Sequence, residues 1–444
     1  MRYAHLSVQK SITAAVISIQ GMADDVREEA RTFFEEQWDP DLTLREWWVR
    51  LADSGFAVPS WPTEWFGRAL SADQVAIVTE ERERAGAVAA PAGLGTMLAG
   101  PTIVTHGPDD VRERYLRDIV TGEKAWCQLF SEPGAGSDLA SLQAKAVRDG
   151  DEWIVNGQKV WTSGAQYADL GMLLARTNPD APKHQGISYF VIDMDQPGID
   201  VRPLREMTGR ALFNEVFLTD ARVRNEDVVG ELNQGWAAGM TTLSNERVGL
   251  GGGGGGAVGI APGTRSGFLD KRAGDFSPAA QGSKPRRASG TAMAMGARGA
   301  KPLIALAQER GVNTDPHIRQ ALAKLHSMGE VTRFSHLRSK AAMAAGRRPG
   351  PEVSTGKLMI SRITRASREV GLQILGAHGM LHGTDAPQDG TVQEMAIFSP
   401  AVSIYGGSDE IQKNIIGERV LGLPKEPGSD KDVPFKDLKV GTQR

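Results

Sequence analysis

Phe130-Ser131-Glu132-Pro133-Gly134-Ala135-Gly136-Ser137-Asp138, followed by Trp153-Ile154-Val155-Asn156-Gly157-Gln158-Lys159-Val160-Trp161-Thr162-Ser163-Gly164, is the part of this chain on which the fold turns. The first segment places glycines beside two hydroxyls and a run of backbone N–H groups. Such a loop lies close against a ring or a pyrophosphate and donates to it. The second alternates in polarity, and both Asp149-Gly150 and Asn156-Gly157 favour tight hairpin turns. A β region is therefore expected here, with Ile187 to Met194 and Asn214 to Leu218 as further strands.

Outward from that region the period changes. Leu44, Trp47, Trp48 and Leu51 recur at helical spacing upstream, and Trp236, Met240, Leu243 and Leu250 do so downstream. Helical patterns then run from Lys301 to Leu423. The expected class is α+β, in the order helix, sheet, helix. The expected bounds are an extension over 1–21, a helical domain over 22–123, a middle β-domain over 124–231, a C-terminal helical domain over 232–424 and a tail over 425–444. Inside the last domain, about 251–300 is rich in Gly, Ala, Ser and basic residues and opens with the glycine run Gly251 to Gly256. A helix does not persist through six glycines when each costs about 1 kcal/mol relative to alanine. The insertion is expected to be a mobile, solvated linker. Its Lys271, Arg272, Lys284, Arg286, Arg287 and Arg298 are the alternative, as contacts for phosphates or an acidic partner.

Composition narrows the function. A hydrophobic fraction of 40% with 24% charged residues is that of a globular protein, and no run approaches a membrane span. A formal net charge of −3 argues against a general nucleic-acid binder, which draws most of its affinity from basic surface. The single cysteine, Cys127, sits beside Trp126 in an apolar run and reads as a buried, inert thiol. No metal site is read from the chain. Met1 to Gly21 weakly resembles a targeting segment, whereas translation from Met22 is the plainer reading; a cytoplasmic location is expected.

The paired motifs resemble the flavin-binding signature of the acyl-CoA dehydrogenases, and the resemblance extends over most of the chain. Trp61-Pro62, Leu98-Ala99-Gly100-Pro101 and His106-Gly107 are similar to the family's N-terminal helical domain. Gln373-Ile374-Leu375-Gly376-Ala377-His378-Gly379 and Ile404-Tyr405-Gly406-Gly407-Ser408-Asp409-Glu410-Ile411-Gln412 resemble two C-terminal motifs. The resemblance implies a small central β-barrel or sandwich, a C-terminal four-helix bundle and FAD as cofactor. It implies that Gln128, Phe130, Ser131, Trp161 and Ser163 line the flavin. Arg310, Gln373, Gly376, Ala377, Ser408 and Glu410 are implied as further cofactor contacts, with Gln373 to Gly379 and Arg310 reaching the adenosine end from a neighbouring subunit. Ser137 and Arg247 are implied on the substrate side.

One departure matters most. The glutamate that serves many members as base is here Gly406, which has no proton-accepting group. Dehydrogenation of an acyl thioester needs a carboxylate placed at the α-carbon. Glu246, in Leu243-Ser244-Asn245-Glu246-Arg247, matches the position used by the isovaleryl-type and long-chain-type branches. The reading is an FAD-dependent acyl-CoA dehydrogenase that passes electrons to an electron-transfer flavoprotein. A homodimer, homotetramer or heterotetramer with a paralogous chain is implied, with a branched or bulky acyl group favoured. A half-active subunit of a heteromeric dehydrogenase, an acyl-CoA oxidase and a redox-inactive CoA-thioester binding protein stay open as alternatives.

Overall fold

Helix α1 (residues 23–37) and helix α2 (Leu44–Ser54) open the chain, and the start of α2 is set by a reciprocal cap. Thr43 accepts from the backbone N–H of Glu46, and the Glu46 carboxylate accepts from the Thr43 N–H at 2.8 Å. Gly55, at φ 78°, ends the helix in the left-handed region. The stripe Leu44, Trp47, Trp48 and Leu51 is buried, and the two indoles donate to Val88 O at 2.8 Å and Ala89 O at 3.0 Å. Helices α3 (Ala72–Arg84), α4 (Gly100–His106) and α5 (Asp109–Val120) follow. The computed structural model describes residues 23–251, 262–281, 299–344, 347, 350–425, 427–428, 430 and 432–439. The described residues fall into two compact units: one of residues 23–126, 167–169 and 262–281, the other of the rest.

The first unit corrects the expectation of a solvated linker. The extension over 1–21, the run Gly252 to Gly256, and Lys284, Arg286, Arg287 and Arg298 lie outside the described residues. Residues 262–281, however, are built into the core. Leu269 and Ala273 are buried with Phe34, Trp47 and Phe56. Leu44 N and Arg45 N donate to Lys271 O and Leu269 O, both at 2.9 Å, while Ala273 N donates to Leu42 O at 2.7 Å. Backbone pairing and the packing of Phe268, Leu269 and Phe276 anchor a segment that is otherwise rich in Gly, Ala and Ser. Lys271 lies over the Phe268 ring and Arg272 binds Asp41 at 2.7 Å, so these two cations are engaged by the protein's own groups.

The second unit is built on a curled sheet of seven strands. These are β1 (Trp126–Leu129), β2 (Lys145–Asp149), β3 (Glu152–Ser163), β4 (Leu170–Arg176), β5 (Ile187–Asp193), β6 (Ile199–Leu204) and β7 (Phe213–Arg224). They run in the order β1-β4-β2-β3-β7-β6, with β5 on β4. Asp149 pairs with Glu152 across Gly150 at φ 63°, so this Asp-Gly makes the expected turn. Asn156-Gly157 does not. It lies inside β3 at a register shift against β7, and a Cβ on Gly157 would stand 2.6 Å from Ala144 Cβ and 2.7 Å from its Cα. The glycine serves close strand approach rather than reversal. Asn156 exchanges hydrogen bonds with Asp220 across the same shift, at 2.9 and 3.0 Å.

Helix α6 (Gly235–Gly251) packs on β5 through small residues rather than through the stripe led by Trp236. A Cβ on Gly235 would stand 2.3 Å from Tyr189 N, and one on Gly239 would stand 3.1 Å from Leu174. Helices α7 (Ala300–Glu309), α8 (Pro316–Ala344), α9 (Ser354–Leu375) and α10 (Thr391–Val402) share a core of Leu303, Leu306, Leu325, Val370, Ile374, Val392 and Met395. A short helix α11 (Asp409–Ile415) follows. The architecture is α+β, and among the described residues no helix is long and apolar enough to cross a membrane.

In the first unit Glu81, only 2% exposed, meets Arg27 at 2.8 Å, Arg31 at 3.2 Å and Arg84 at 2.7 Å. Hydrogen bonds from Arg31, then Arg84 and Arg27, outweigh burial and hold its carboxyl at about 2. The stabilisation is present above the ordinary glutamate range and is lost as pH falls toward that value. Glu81→Gln is expected to destabilise the protein by about 2 kcal/mol at neutral pH, because partly exposed arginines screen a cost that full burial would raise. Chemical denaturation at a series of pH values checks this: the gap from wild type should close on acidification.

Candidate active site

The loop after β1 is held by a buried ion pair. Lys159 on β3 is fully buried, and its Nζ donates to Glu132 Oε1 at 2.8 Å, Leu174 O at 2.8 Å and Phe130 O at 3.1 Å. The Glu132 carboxylate also accepts from Gln143 N at 2.6 Å and Ala144 N at 2.9 Å. Burial lowers the Lys159 pKa, and the Glu132 charge opposes the shift. Glu132 and Ala135 exchange backbone hydrogen bonds at 3.0 Å across Pro133-Gly134, and Val160 N donates to Ser131 O at 2.9 Å. The loop's two ends are thereby fastened while Gly134, Gly136, Ser137 and Asp138 stay exposed. Nothing stands within 4 Å of where a Gly136 Cβ would sit.

Beside this loop β3 changes register between Lys159 and Thr162. Trp161 occupies the irregularity at φ 61°, uncommon for a bulky residue, and its indole is 59% exposed with only an edge contact to Phe213 at 5.8 Å. Thr162 points inward, and its buried Oγ1 has no hydrogen-bond partner. Ser163 ends the strand exposed. An indole turned out of a strand next to an orphaned hydroxyl is a local arrangement that core packing does not require.

Glu246 lies on α6, half-buried, and its carboxylate accepts from the Gln128 side chain on β1. Burial raises its pKa above the usual carboxylate range, while Gln128, Arg247 and Lys357 oppose that shift. Burial lowers the Arg247 pKa, opposed by Glu246. At the C-terminal motif Gly406 and Gly407 both adopt left-handed backbone, φ 62° and 85°, and Gln412 Nε2 donates to their carbonyls at 3.3 and 3.2 Å. Tyr405 beside them has its phenol pushed up to about 12 by burial.

The residues named from sequence thus fall into groups. Gln128, Glu246 and Arg247 come together. Ser131, Trp161 and Ser163 lie along β3 and the loop paired with it, with Ser137 on the exposed side of that loop. Phe130 is 3% exposed, its ring packs edge-on against Tyr189 at 5.8 Å and its carbonyl accepts from Lys159, so the structure buries it beneath the loop instead of presenting it to a ligand. Arg310, at the end of α7, contacts His378 Nδ1 at 3.0 Å beside exposed Gln373, Gly376 and Ala377. Ser408 caps α11 by accepting from Ile411 N at 3.3 Å, and Glu410 is exposed. Sequence reading missed Lys159, Thr162 and Lys357. A lysine between Gln158 and Val160 in a half-apolar strand was the available signal for the first.

The chain matches the models of the acyl-CoA dehydrogenase N-terminal domain over residues 20–123, the middle domain over 127–221 and the C-terminal domain over 284–421. It is 36% identical to acyl-CoA dehydrogenase IpdE1 of Mycobacterium tuberculosis, with 86% of this chain and 88% of that protein covered. It is 38% identical to acyl-CoA dehydrogenase FadE34 of the same organism over 85% of this chain, although it spans 46% of that protein's length. The solved Tcur3481-Tcur3483 steroid ACAD superposes with a TM-score of 0.66 at 25% identity, covering 91% of this chain and 98% of that one. The chain therefore belongs to the acyl-CoA dehydrogenase family, FAD-dependent oxidoreductases acting on CH–CH groups.

Lys159→Met strands the Glu132 carboxylate among backbone donors alone. A loss of about 3–5 kcal/mol is expected, as for other buried pairs broken on one side, and urea denaturation measures it. A loss below about 1 kcal/mol removes this pair as the clamp of the loop.

Proposed function

We propose that this chain dehydrogenates a branched or bulky acyl-CoA thioester between its α- and β-carbons, with Glu246 as the base. The observation that carries the reading is the desolvated Glu246 carboxyl on α6, held by Gln128, in a chain that has Gly406 at the position where the C-terminal motif carries a base in many members. A carboxylate in a dry pocket is a stronger base than one in water, and proton removal from carbon needs that strength.

The exposed Trp161 indole, exposed Ser163 and the open Gly136 loop fit the flat, hydrogen-bonding ring of FAD. Half-buried Ser131, above buried Phe130, would flank the ring on one side. Arg310, Gln373, Gly376, Ala377, Ser408 and Glu410 would hold the cofactor's far end in an oligomer. When bound, FAD supplies the acceptor for the hydride that leaves the β-carbon as the α-proton moves to Glu246 Oε and the C=C bond forms. Arg247 and Ser137 would hold the acyl-CoA, and Gln128 orients the carboxyl between proton transfers. An electron-transfer flavoprotein is the proposed electron acceptor.

The substrate class and assembly draw on the comparisons. The solved neighbour is a steroid dehydrogenase named for paired chains, which supports a bulky ring-bearing acyl group and pairing with a paralogous chain. A protein that gains flavin colour only on co-expression with a second chain supports pairing; a stable yellow homotetramer supports self-association.

Glu246→Gln is expected to retain acyl-CoA binding and lose at least about 10²–10⁴-fold in the rate of anaerobic flavin bleaching. In the wild type that rate should fall as pH drops through the Glu246 ionisation, which burial places above the usual carboxylate range. Stopped-flow bleaching with straight, branched and ring-bearing acyl-CoAs checks both points; unchanged bleaching in Glu246→Gln would remove Glu246 as the base.

A further inference from the structure

Beyond α11 the chain returns to the sheet. Pro434 forms an isolated antiparallel bridge with Pro182, between β4 and β5, and the single turn Phe435–Asp437 follows. Phe435 N donates to Ala181 O at 2.9 Å and Lys436 N to Pro179 O at 3.0 Å, while Lys436 Nζ meets Asp180 at 2.6 Å. The Arg176 guanidinium lies over the Phe435 ring, 3.7 Å from its centre. Asp430 meets Lys183 Nζ at 3.1 Å. The tail is therefore docked by its backbone, by an aromatic ring on a cation and by ion pairs.

Both cations that the tail engages also hold the glycine loop. Arg176, at the end of β4, is 3% exposed, and its guanidinium donates to Ala140 O at 2.6 Å, Leu142 O at 3.4 Å and Lys183 O at 2.8 Å. Burial lowers its pKa to about 10, with Glu132 opposing, so it is charged at neutral pH. Lys183 Nζ meets Asp138 at 3.3 Å on the side away from the tail's Asp430. Asp138 in turn accepts from the Ser141 hydroxyl, and its carbonyl accepts from Ser141 N at 3.0 Å. The Lys159–Glu132 pair thus fastens the loop at its inner end, and Arg176 and Lys183 fasten it beyond Ser137. A guanidinium stacked on a ring out of water keeps one plane, and an ammonium shared by two carboxylates keeps one place. Without Phe435 or Asp430 each cation retains its loop partner but is free to swing toward solvent.

We propose that Phe435 and Asp430 are positioning residues for acyl-CoA: acting through Arg176 and Lys183, they hold the outer half of the loop, and with it Ser137, in the geometry that receives the substrate. The proposal rests on the reading that places Ser137 against acyl-CoA. None of these ties includes Glu246 or Gln128, so they govern how tightly the substrate is held rather than how fast it reacts.

The test uses the whole chain carrying Phe435→Leu, Phe435→Tyr, Asp430→Asn, Asp430→Glu or Ser137→Ala. Leucine keeps apolar bulk without the ring and asparagine keeps shape without the charge, whereas tyrosine and glutamate retain ring and charge. Hydrogen–deuterium exchange without substrate reads the loop at the bonded amides of Ser141 and Leu142. Anaerobic flavin bleaching against concentration, with the straight, branched or ring-bearing acyl-CoA that bleaches the wild type fastest, separates half-saturation from the limiting rate. In Phe435→Leu exchange at those amides should quicken and the half-saturating concentration rise, each about tenfold, with the limiting rate within about twofold of wild type. Asp430→Asn should show the same pattern at about threefold, because its carboxylate is more exposed. Phe435→Tyr and Asp430→Glu should match the wild type. Wild-type exchange in Phe435→Leu, wild-type half-saturation beside faster exchange, or a lower limiting rate at unchanged half-saturation overturns the proposal. Ser137→Ala should itself raise the half-saturating concentration. If it does not, the placement of Ser137 fails, while exchange in Phe435→Leu still judges the tail's hold on the loop, so the two failures are told apart.

Discussion

The second unit depends on an ion pair between a loop residue and a strand residue. Glu132 and Lys159 meet in the interior, and between them they satisfy two carbonyls and two backbone N–H groups besides each other. Four segments converge on this node: the Phe130 loop, the turn before β2, strand β3 and strand β4. A hydrophobic pair would fill the volume but leave those main-chain groups unmatched. The charge pair is retained because it pins a glycine loop whose outer edge must stay open. Fastening the loop gives the exposed residues Gly134 and Gly136 to Asp138 a defined direction, which a free loop of that composition would lack.

The same logic governs the proposed active centre. Gly406 and Gly407 both sit in backbone conformations that side chains resist, so the turn itself offers no carboxylate. The acid comes from α6 instead, approaching beside Gln128 of the sheet. The helix packs through Gly235 and Thr242 against Tyr189 of β5 and through Gly239 against Leu174 of β4, and so lies close on the sheet.

Much of this was legible in the chain. The α2 stripe and the Asp149-Gly150 turn follow from periodicity and turn chemistry, and the motif pair led to the family. The failures share a cause. Asn156-Gly157 carries a strong local turn signal, but the reason for its glycine is Ala144, a neighbour in space that no local pattern reveals. The outward Trp161 was readable by resemblance; the inward Phe130 ring was not, because burial of one aromatic against Tyr189 depends on strand register. Lys159 and Lys357 were invisible for the complementary reason. A lysine reads as solvated unless its partners are known, and Glu132 and the Val402 carbonyl lie far from them in sequence.

The stretch around Leu269 and Ala273 has a temporal meaning. Helices α1 to α3 are synthesised before the sheet, yet their core and the N–H groups at the start of α2 are completed by residues that emerge only after the whole sheet has been translated. An N-terminal unit ordinarily folds as it leaves the ribosome. Here the first unit must wait in an unfinished state, with Trp47 and Phe34 short of partners, until the chain returns to close it.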